Sequence, residues 1–398
     1  MITVEEAFAI LDGAVSPLGE EWAPLADAPG RILGADVVSD VDWPPFDTSA
    51  MDGYAVRAED ARSAGLLAER PDLVAAGDAS PPPLVAGEAV RLMTGAPLPV
   101  GADAVVPIEL CRREGSRLRF ERAPEEGAHL RRRGESVARG TVLIRRGERL
   151  GPARVGLAAL AGADPIRVRR RPRVGIAATG NELVAAREFP REGKMRDSNG
   201  PMVDALCRAR GWPTVLRERV ADDTASVERL FEEADDTDVL VTTGGVSAGD
   251  LDLLPAAAER AGWEILFHRV AVRPGKPIAF ARRRERFWFG LPGNPVSTSV
   301  CFHLFVRRAL DRMEGVDPPG APAVTAQLVG AVSSRGPRET YRDAVLVEED
   351  GVRRVEPLPT AGSHDIAAHA RANALIRIPV DSEPLATGSL VTCVLLER

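Results

Sequence analysis

VLVTTGGVSAGDLD (239–252) opens on apolar and β-branched residues, passes through glycine-rich sequence and ends on paired aspartates. Such a run is a short buried strand that breaks into a glycine turn and then a helix start. The pattern repeats around it. Apolar runs at 174–178, 215–220, 264–269, 277–281 and 287–291 read as strands, and the stretches near 199–210, 224–234, 252–261 and 295–313 read as helices. Alternation of this kind predicts a mostly parallel sheet with helices on both faces, a three-layer α/β domain over 171–315. Ligands of such sheets gather at the carboxyl ends of the strands.

Outside that core the pattern changes. Thr3 and Glu6 form a capping box before the amphipathic set Val4, Ala7, Phe8, Leu11 and Val15, which predicts a helix. Residues 43–137 contain short β-like runs between Pro and Gly, as in WPPFDTSAMDGYAV (43–56), and are expected to form a β-rich domain. VGLAALAGADPIRV (155–168) reads as a helix and a strand; with the N-terminal helix it is expected to form a discontinuous linker domain, 1–42 with 138–170. Beyond the break at 315–323, a hairpin around Asp350-Gly351 and two further β runs predict a small barrel-like domain over 320–398.

At roughly 150 residues per domain, 398 residues correspond to two to four domains. The chain has 51 basic and 58 acidic side chains, a net charge of −7, which opposes general binding to nucleic acid or an anionic membrane. Arginine-rich stretches at 131–133 and 167–173 lack interleaved aromatics for base stacking, so no nucleic-acid partner is expected. No apolar run approaches the roughly 20 residues that span a bilayer, and MITVEEAFAI has no basic segment leading an apolar one. Cys111, Cys207, Cys301 and Cys393 are scattered without zinc spacing. A reduced, cytoplasmic protein is expected. Lysine occurs only at 194 and 276, and asparagine only at 181, 199, 294 and 373. In a chain that otherwise uses arginine, these positions are expected to be ones where a substitute fails.

Three loops could hold an anion. Gly244 and Gly245 would let backbone N–H groups approach a phosphate, helped by the following helix N-terminus. Asp250 and Asp252 beside such a cradle suggest Mg²⁺, with simple capping as the alternative for Asp250. In LPGNPVS (291–297) Asn294 suits an N-cap and Pro295 the first helical position, but Pro292, Gly293 and Ser297 have no such explanation. The third loop, 269–277, sets Arg269, Arg273 and Lys276 around a Pro-Gly turn. Lysine is a compact point charge and arginine a planar fork, so Lys276 is expected to occupy a place that arginine cannot.

These loops occur in one order with MDGYAV (51–56), MTGAP (93–97), TGNE (179–182) and DSN (197–199). Together they closely resemble the molybdopterin molybdenumtransferases, the molybdate-inserting enzymes of molybdenum-cofactor synthesis that include the gephyrin E domain. The resemblance covers essentially the whole chain. It implies a homodimer of four-domain subunits whose active site lies where the α/β domain of one faces the β-rich domain of the other. It also implies Mg²⁺, with molybdate and adenylylated molybdopterin as substrates and AMP as a product.

By resemblance, Arg273, Lys276, Ser297, Arg342 and Ser363 would hold molybdate, beside Pro292 and Pro295. Asp222 and Asp252 would bind Mg²⁺, and Gly244, Gly245 and Ser247 would cradle phosphate. Glu182 would lie near the pterin, while Asp52 and Thr94 would reach across the dimer. Taken alone, Asp52 could form a β-turn, and Asp222, Asp223 or Thr224 could cap a helix. Transient contact with a molybdopterin adenylyltransferase and with cofactor acceptors is a further expectation. Ser136 stands where the family has an acid, Asn181 where Asp is common, Leu253 where tyrosine is frequent, and arginines 269 and 273 replace lysines. Three alternatives stay open: a scaffold without turnover, a tungstate-using relative and a pterin-adenylylating relative.

Overall fold

Thr214–Val220, Val174–Thr179, Val239–Thr243 and Arg286–Leu291 lie side by side in parallel, and Ala279–Arg283 and Glu264–His268 extend their sheet antiparallel. The structure, a computed structural model, describes residues 1–79, 81–246, 253–333 and 336–397. Val174–Thr179 and Val239–Thr243 are buried at every position. Both faces of the sheet are covered, which is why these strands read as continuous apolar runs. Ile176, Val239 and Val241 pack with Val203 and Cys207 of the helix Asn199–Ala209 and with Val300 and Phe305. On the other face Ala177, Leu240 and Trp288 meet Val227, Leu230 and Phe231 of Thr224–Glu233 and Leu254 of Leu253–Arg260.

Trp288 anchors the second face. It stands edge-on to Phe231, 5.3 Å between centroids, and its Nε1 donates to Thr242 Oγ1 at 3.0 Å. Trp288→Ala should therefore cost about 3–5 kcal/mol, through a cavity and an orphaned hydroxyl. Denaturant unfolding would show this as a lowered midpoint with an unchanged slope.

The capping box at Thr3 and Glu6 is present, and the helix Val4–Ala14 follows it. Its apolar stripe, Val4, Ala7 and Leu11, joins the α/β core, with Phe8 set 5.6 Å from Phe305. Residues 1–21 and 169–398 accordingly form one compact unit and residues 22–168 another. This differs from the expected grouping of 1–42 with 138–170. The core between the linker segments is built instead by Ala28, Leu33 and Val37 with Ile144, Leu150, Ala158 and Val168. An amphipathic stripe reveals that a helix buries one face, but not against which neighbour.

Within residues 22–168 the β-rich part is a six-stranded sheet in the order Ala104–Pro107, Gly53–Val56, Glu88–Leu92, Leu66–Val74, Arg117–Phe120 and Cys111–Glu114. The C-terminal strands Glu339–Glu349, Val352–Pro357, Ala323–Leu328, Leu390–Leu395 and Ala374–Ile378 close into a barrel, the last pairing back onto the first. Asp350 and Gly351, both at positive φ, turn its hairpin as the sequence predicts.

Candidate active site

Val272–Arg273 pairs in parallel with the start of the barrel strand Glu339–Glu349, Arg273 opposite Thr340. The chain then turns through 274–277. Gly275 sits at φ 124°, and a Cβ there would lie 2.5 Å from Cys301 Sγ, so a side chain would strain the turn and push it off the helix behind. The Lys276 carbonyl accepts from Val270 N–H at 3.0 Å, which ties down the backbone beneath its side chain.

Across from this turn lies the helix Pro295–Cys301. Asn294 occupies its N-cap position but does not cap it: its Nδ2 donates instead to Ser363 Oγ at 2.8 Å. Val296 N–H donates to the Ser363 carbonyl at 3.1 Å, so the 360–363 loop is fixed on the helix start. Thr298 Oγ1, donating to the Pro292 carbonyl at 2.6 Å, holds the preceding turn.

These elements enclose a cavity of about 540 Å³ whose wall includes Arg273, Lys276, Ser297, Arg342 and Ser363. The five residues expected to hold molybdate thus meet in one place. Arg338 joins them, a cation that the sequence reading missed. The spacing of Arg338, Thr340 and Arg342, every second residue into a strand, is the signal that could have found it. Among the described residues none of the four cations has an acidic partner, and the buried Arg342 Nε has no hydrogen-bond acceptor. Asp343 is the one carboxylate on the wall among the described residues, and it is bonded to His369 at 2.7 Å. Concentrated positive charge with an orphaned donor is what a multiply charged oxyanion would satisfy.

The second constellation sits where the sheet geometry requires, at the carboxyl ends of the parallel strands. Asp223, not Asp222, caps Thr224–Glu233, accepting from Ser226 N–H at 2.9 Å. That leaves the Asp222 carboxylate free of the cap, bonded instead to the Asn181 backbone, while the Asp222 N–H donates to Asn181 Oδ1 at 3.1 Å. Partial desolvation, and then the nearby Glu182, hold Asp222 above the ordinary aspartate range. Gly244 is at φ 91°, and a Cβ there would lie 2.6 Å from the Thr179 carbonyl, so glycine lets two strand-end loops meet. Its N–H donates to the Leu291 carbonyl, and Asn199 Nδ2 donates to the Gly293 carbonyl at 2.7 Å. Ser247, Asp250 and Asp252 lie outside the described residues.

The scarce residue types join backbone segments. Asn373 clasps the Leu346 backbone through both ends of its amide, and the other three asparagines bridge the strand-end loops described above. Of the two lysines, Lys194 donates to the Asn181 carbonyl at 2.6 Å and Lys276 lines the cavity.

Asp52 and Thr94 meet in the other unit. Asp52 Oδ1 accepts from Thr94 N–H at 2.7 Å and from its hydroxyl at 2.8 Å, which holds the carboxyl below the usual range. Within the arginine-rich stretches Arg132 pairs with Asp47, Arg133 with Asp42, and Arg170 with Asp238 through two bonds of 2.8 Å.

Residues 2–162 match the model for the MoeA N-terminal region, domains I and II; 175–312 match a probable molybdopterin binding domain, and 325–396 the MoeA C-terminal region, domain IV. The chain belongs to the MoeA family. It is 35% identical over 378 residues to molybdopterin molybdenumtransferase 2 of Mycobacterium tuberculosis, covering 92% of each chain. With the molybdopterin molybdenumtransferase of Bacillus subtilis it shares 34% identity over 387 residues, 95% of this chain and 90% of the relative. A solved MoeA protein from Pyrococcus horikoshii superposes with a TM-score of 0.81 at 30% identity, covering 99% of this chain and 100% of that one. Members of the MoeA family are transferases of molybdenum-cofactor biosynthesis, and both constellations lie in this chain's matched regions: the strand-end loops in the molybdopterin binding domain, the barrel wall of the cavity in domain IV. No helix of the described residues is long and apolar enough to cross a membrane.

Proposed function

We propose that this chain inserts molybdate into adenylylated molybdopterin, releasing AMP, with Mg²⁺ held at the strand ends. The observation that carries the reading is the cavity in which Arg273, Lys276, Arg338 and Arg342 meet without acidic partners among the described residues, beside Ser297 and Ser363. Two unit charges 4 Å apart at an effective dielectric near 20 repel by about 4 kcal/mol. A dianion beside a pyrophosphate therefore needs several cations around it. The cavity binds and orients molybdate; the helix start at 292–297 sets the position of Ser297; Gly244 and Gly245 let the strand-end turn close on Thr179 and Leu254, and a phosphate would sit beside that turn.

Among the described residues no cluster of three metal-ligating side chains forms, and Asp222 is the oxygen donor available to a hard divalent ion at the strand ends. Asp222 has a carboxylate not spent on capping, and partial desolvation, then Glu182, raise its pKa, so a cation beside it would favour the ionised form. Asp222 would hold Mg²⁺ together with Asp252, and Glu182 would face the pterin. When bound, Mg²⁺ neutralises phosphate charge and polarises the phosphoryl group. No side chain needs to act as a covalent nucleophile, since positioning and charge neutralisation supply the rate.

Asp52 and Thr94 would complete the site from the second subunit of a homodimer in the cytoplasm. Transient contacts with a molybdopterin adenylyltransferase and with cofactor acceptors would deliver substrate and remove product. Purified protein incubated with adenylylated molybdopterin, Mg²⁺ and molybdate should release AMP and form cofactor only when all three are present. Pterin binding without AMP release would make the chain a scaffold; adenylylation of free molybdopterin would make it the adenylylating relative. Faster turnover with tungstate would change the metal and leave the site standing.

A further inference from the structure

Behind the cavity, three buried polar side chains bridge its two walls. Ser299 follows Ser297 by two residues on the helix Pro295–Cys301, and Asp343 follows Arg342 on the strand Glu339–Glu349. His369, the last residue of the short helix Ile366–His369, stands between them. Its Nδ1 lies 2.7 Å from Asp343 Oδ1 and its Nε2 2.7 Å from Ser299 Oγ. All three residues are buried.

The Asp343 carboxylate accepts from His369 Nδ1–H, and in the neutral ring Nε2 then accepts from the Ser299 hydroxyl. A second histidine supports this order. His303 Nδ1 lies 2.8 Å from the Ser299 carbonyl and so donates to it, and His303 Nε2 accepts from Glu397 N–H at 3.2 Å. Burial pushes His303 down to about 4, which keeps it neutral at pH 7. With Nδ1–H of His303 also within 3.4 Å of Ser299 Oγ, the hydroxyl is free to direct its own proton at His369.

We propose that His369 is a positioning residue for the oxyanion cavity: a buried strut that holds the helix carrying Ser297 against the strand carrying Arg342. The inference rests on the reading of that cavity as the molybdate site. Its physical basis is repulsion. Four cations share the cavity wall, and without an anion they push it apart. A hydrogen-bonded tie between the opposed elements resists that expansion, so less ordering remains to be done when the anion arrives. The tie is polar rather than apolar because its ends, Asp343 and Ser299, must remain satisfied inside the protein.

The test compares full-length wild type with His369→Leu, His369→Gln and Ser299→Ala, using molybdate as the titrant in calorimetry and as the varied substrate in turnover. His369→Leu fills the space without hydrogen bonds and should raise the molybdate Kd and KM about tenfold, with kcat at saturating molybdate within about twofold of wild type. Glutamine can still donate to Asp343 while its carbonyl accepts from Ser299, and should recover most of the loss. Ser299→Ala removes the bond to His369 and the longer contact with His303 Nδ1, leaves the His369–Asp343 bond in place, and should raise Kd about fivefold. A purely architectural role would lower the thermal midpoint of the leucine variant while leaving Kd unmoved at a temperature where it is folded, and that result overturns the strut. So does a glutamine variant as weak as leucine. If the leucine variant does not fold, Ser299→Ala decides alone, and an unchanged Kd overturns the proposal. Wild type that fails to bind molybdate removes the cavity reading and the strut together, whereas binding that no variant alters removes the strut only.

Discussion

Replacing Arg273 and Lys276 together by alanine should weaken molybdate binding about a hundredfold. Both side chains line the cavity and neither has an acidic partner among the described residues, so their charge is available to an anion. A dianion 4 Å from one cation gains roughly 8 kcal/mol in gross Coulomb energy at an effective dielectric of 20. Both residues are exposed, however, and solvent screening leaves a small fraction of that, about 1.4 kcal/mol each or tenfold per charge. The loss should shrink as sodium chloride is raised, because the contribution removed is electrostatic. Lys276→Arg should restore only part of it: the charge returns, but the turn is pressed against Cys301 at Gly275 and leaves little freedom to place a longer planar fork. Calorimetric titration with molybdate at two salt concentrations measures all of this. Affinity within twofold of wild type in the double variant would remove this wall from substrate binding.

The α/β part of the fold was legible because its strands are buried on both faces. That burial leaves uninterrupted apolar runs, and glycine or proline marks the ends. The hairpin at Asp350-Gly351 was legible for a local reason as well, since two positive φ angles are needed there. Barrel closure was not, because the pairing of Ala374–Ile378 onto Glu339–Glu349 depends on partners that no short window contains. The site divides in the same way. Gly244 and the helix start at 292–297 sit on loops that local pattern identifies, whereas Asp222 entered through the family resemblance, local pattern offering it only as a helix cap. The cavity does not sit on such loops: its wall draws on 273–277, 296–297, 333, 338, 340–343 and 360–363, and Val272–Arg273 joins the first of these to the barrel by pairing beside the strand Glu339–Glu349. Family resemblance supplied that list, and even so it omitted Arg338. His369 lay beyond both kinds of reading, with its partners 26 and 70 residues away in sequence.

Asp222→Asn should abolish most Mg²⁺-dependent turnover, by about a hundredfold or more, while leaving the fold at least as stable as wild type. The two effects share one cause. Although the residue is exposed as a whole, its carboxyl is partly desolvated and faces Glu182, so the folded protein disfavours its ionised form. An aspartate whose folded pKa lies above its unfolded value keeps its full relative stability below the unfolded pKa and loses it as pH rises through the folded pKa. At neutral pH the ionised carboxylate is therefore a small liability, which the isosteric amide removes. The backbone bond from Asp222 N–H to Asn181 persists, and Asp223 remains as the helix cap, so the loop itself has no reason to move. Lost with the charge is a hard anionic donor. An amide oxygen coordinates Mg²⁺ far more weakly than a carboxylate, and it leaves the pyrophosphate charge less well opposed. In the wild type, the same linkage means that Mg²⁺ binding pulls the carboxyl toward ionisation and releases protons in the pH range where the free site is partly protonated. Mg²⁺ affinity should accordingly fall as pH is lowered through that range, and the asparagine variant should not show the fall at this group. The decisive measurements are a thermal midpoint with and without Mg²⁺ and AMP release across pH 4–8. Wild-type turnover in the variant would take Asp222 out of the metal site; a lower midpoint without Mg²⁺ would mean that its carboxylate stabilises the fold after all.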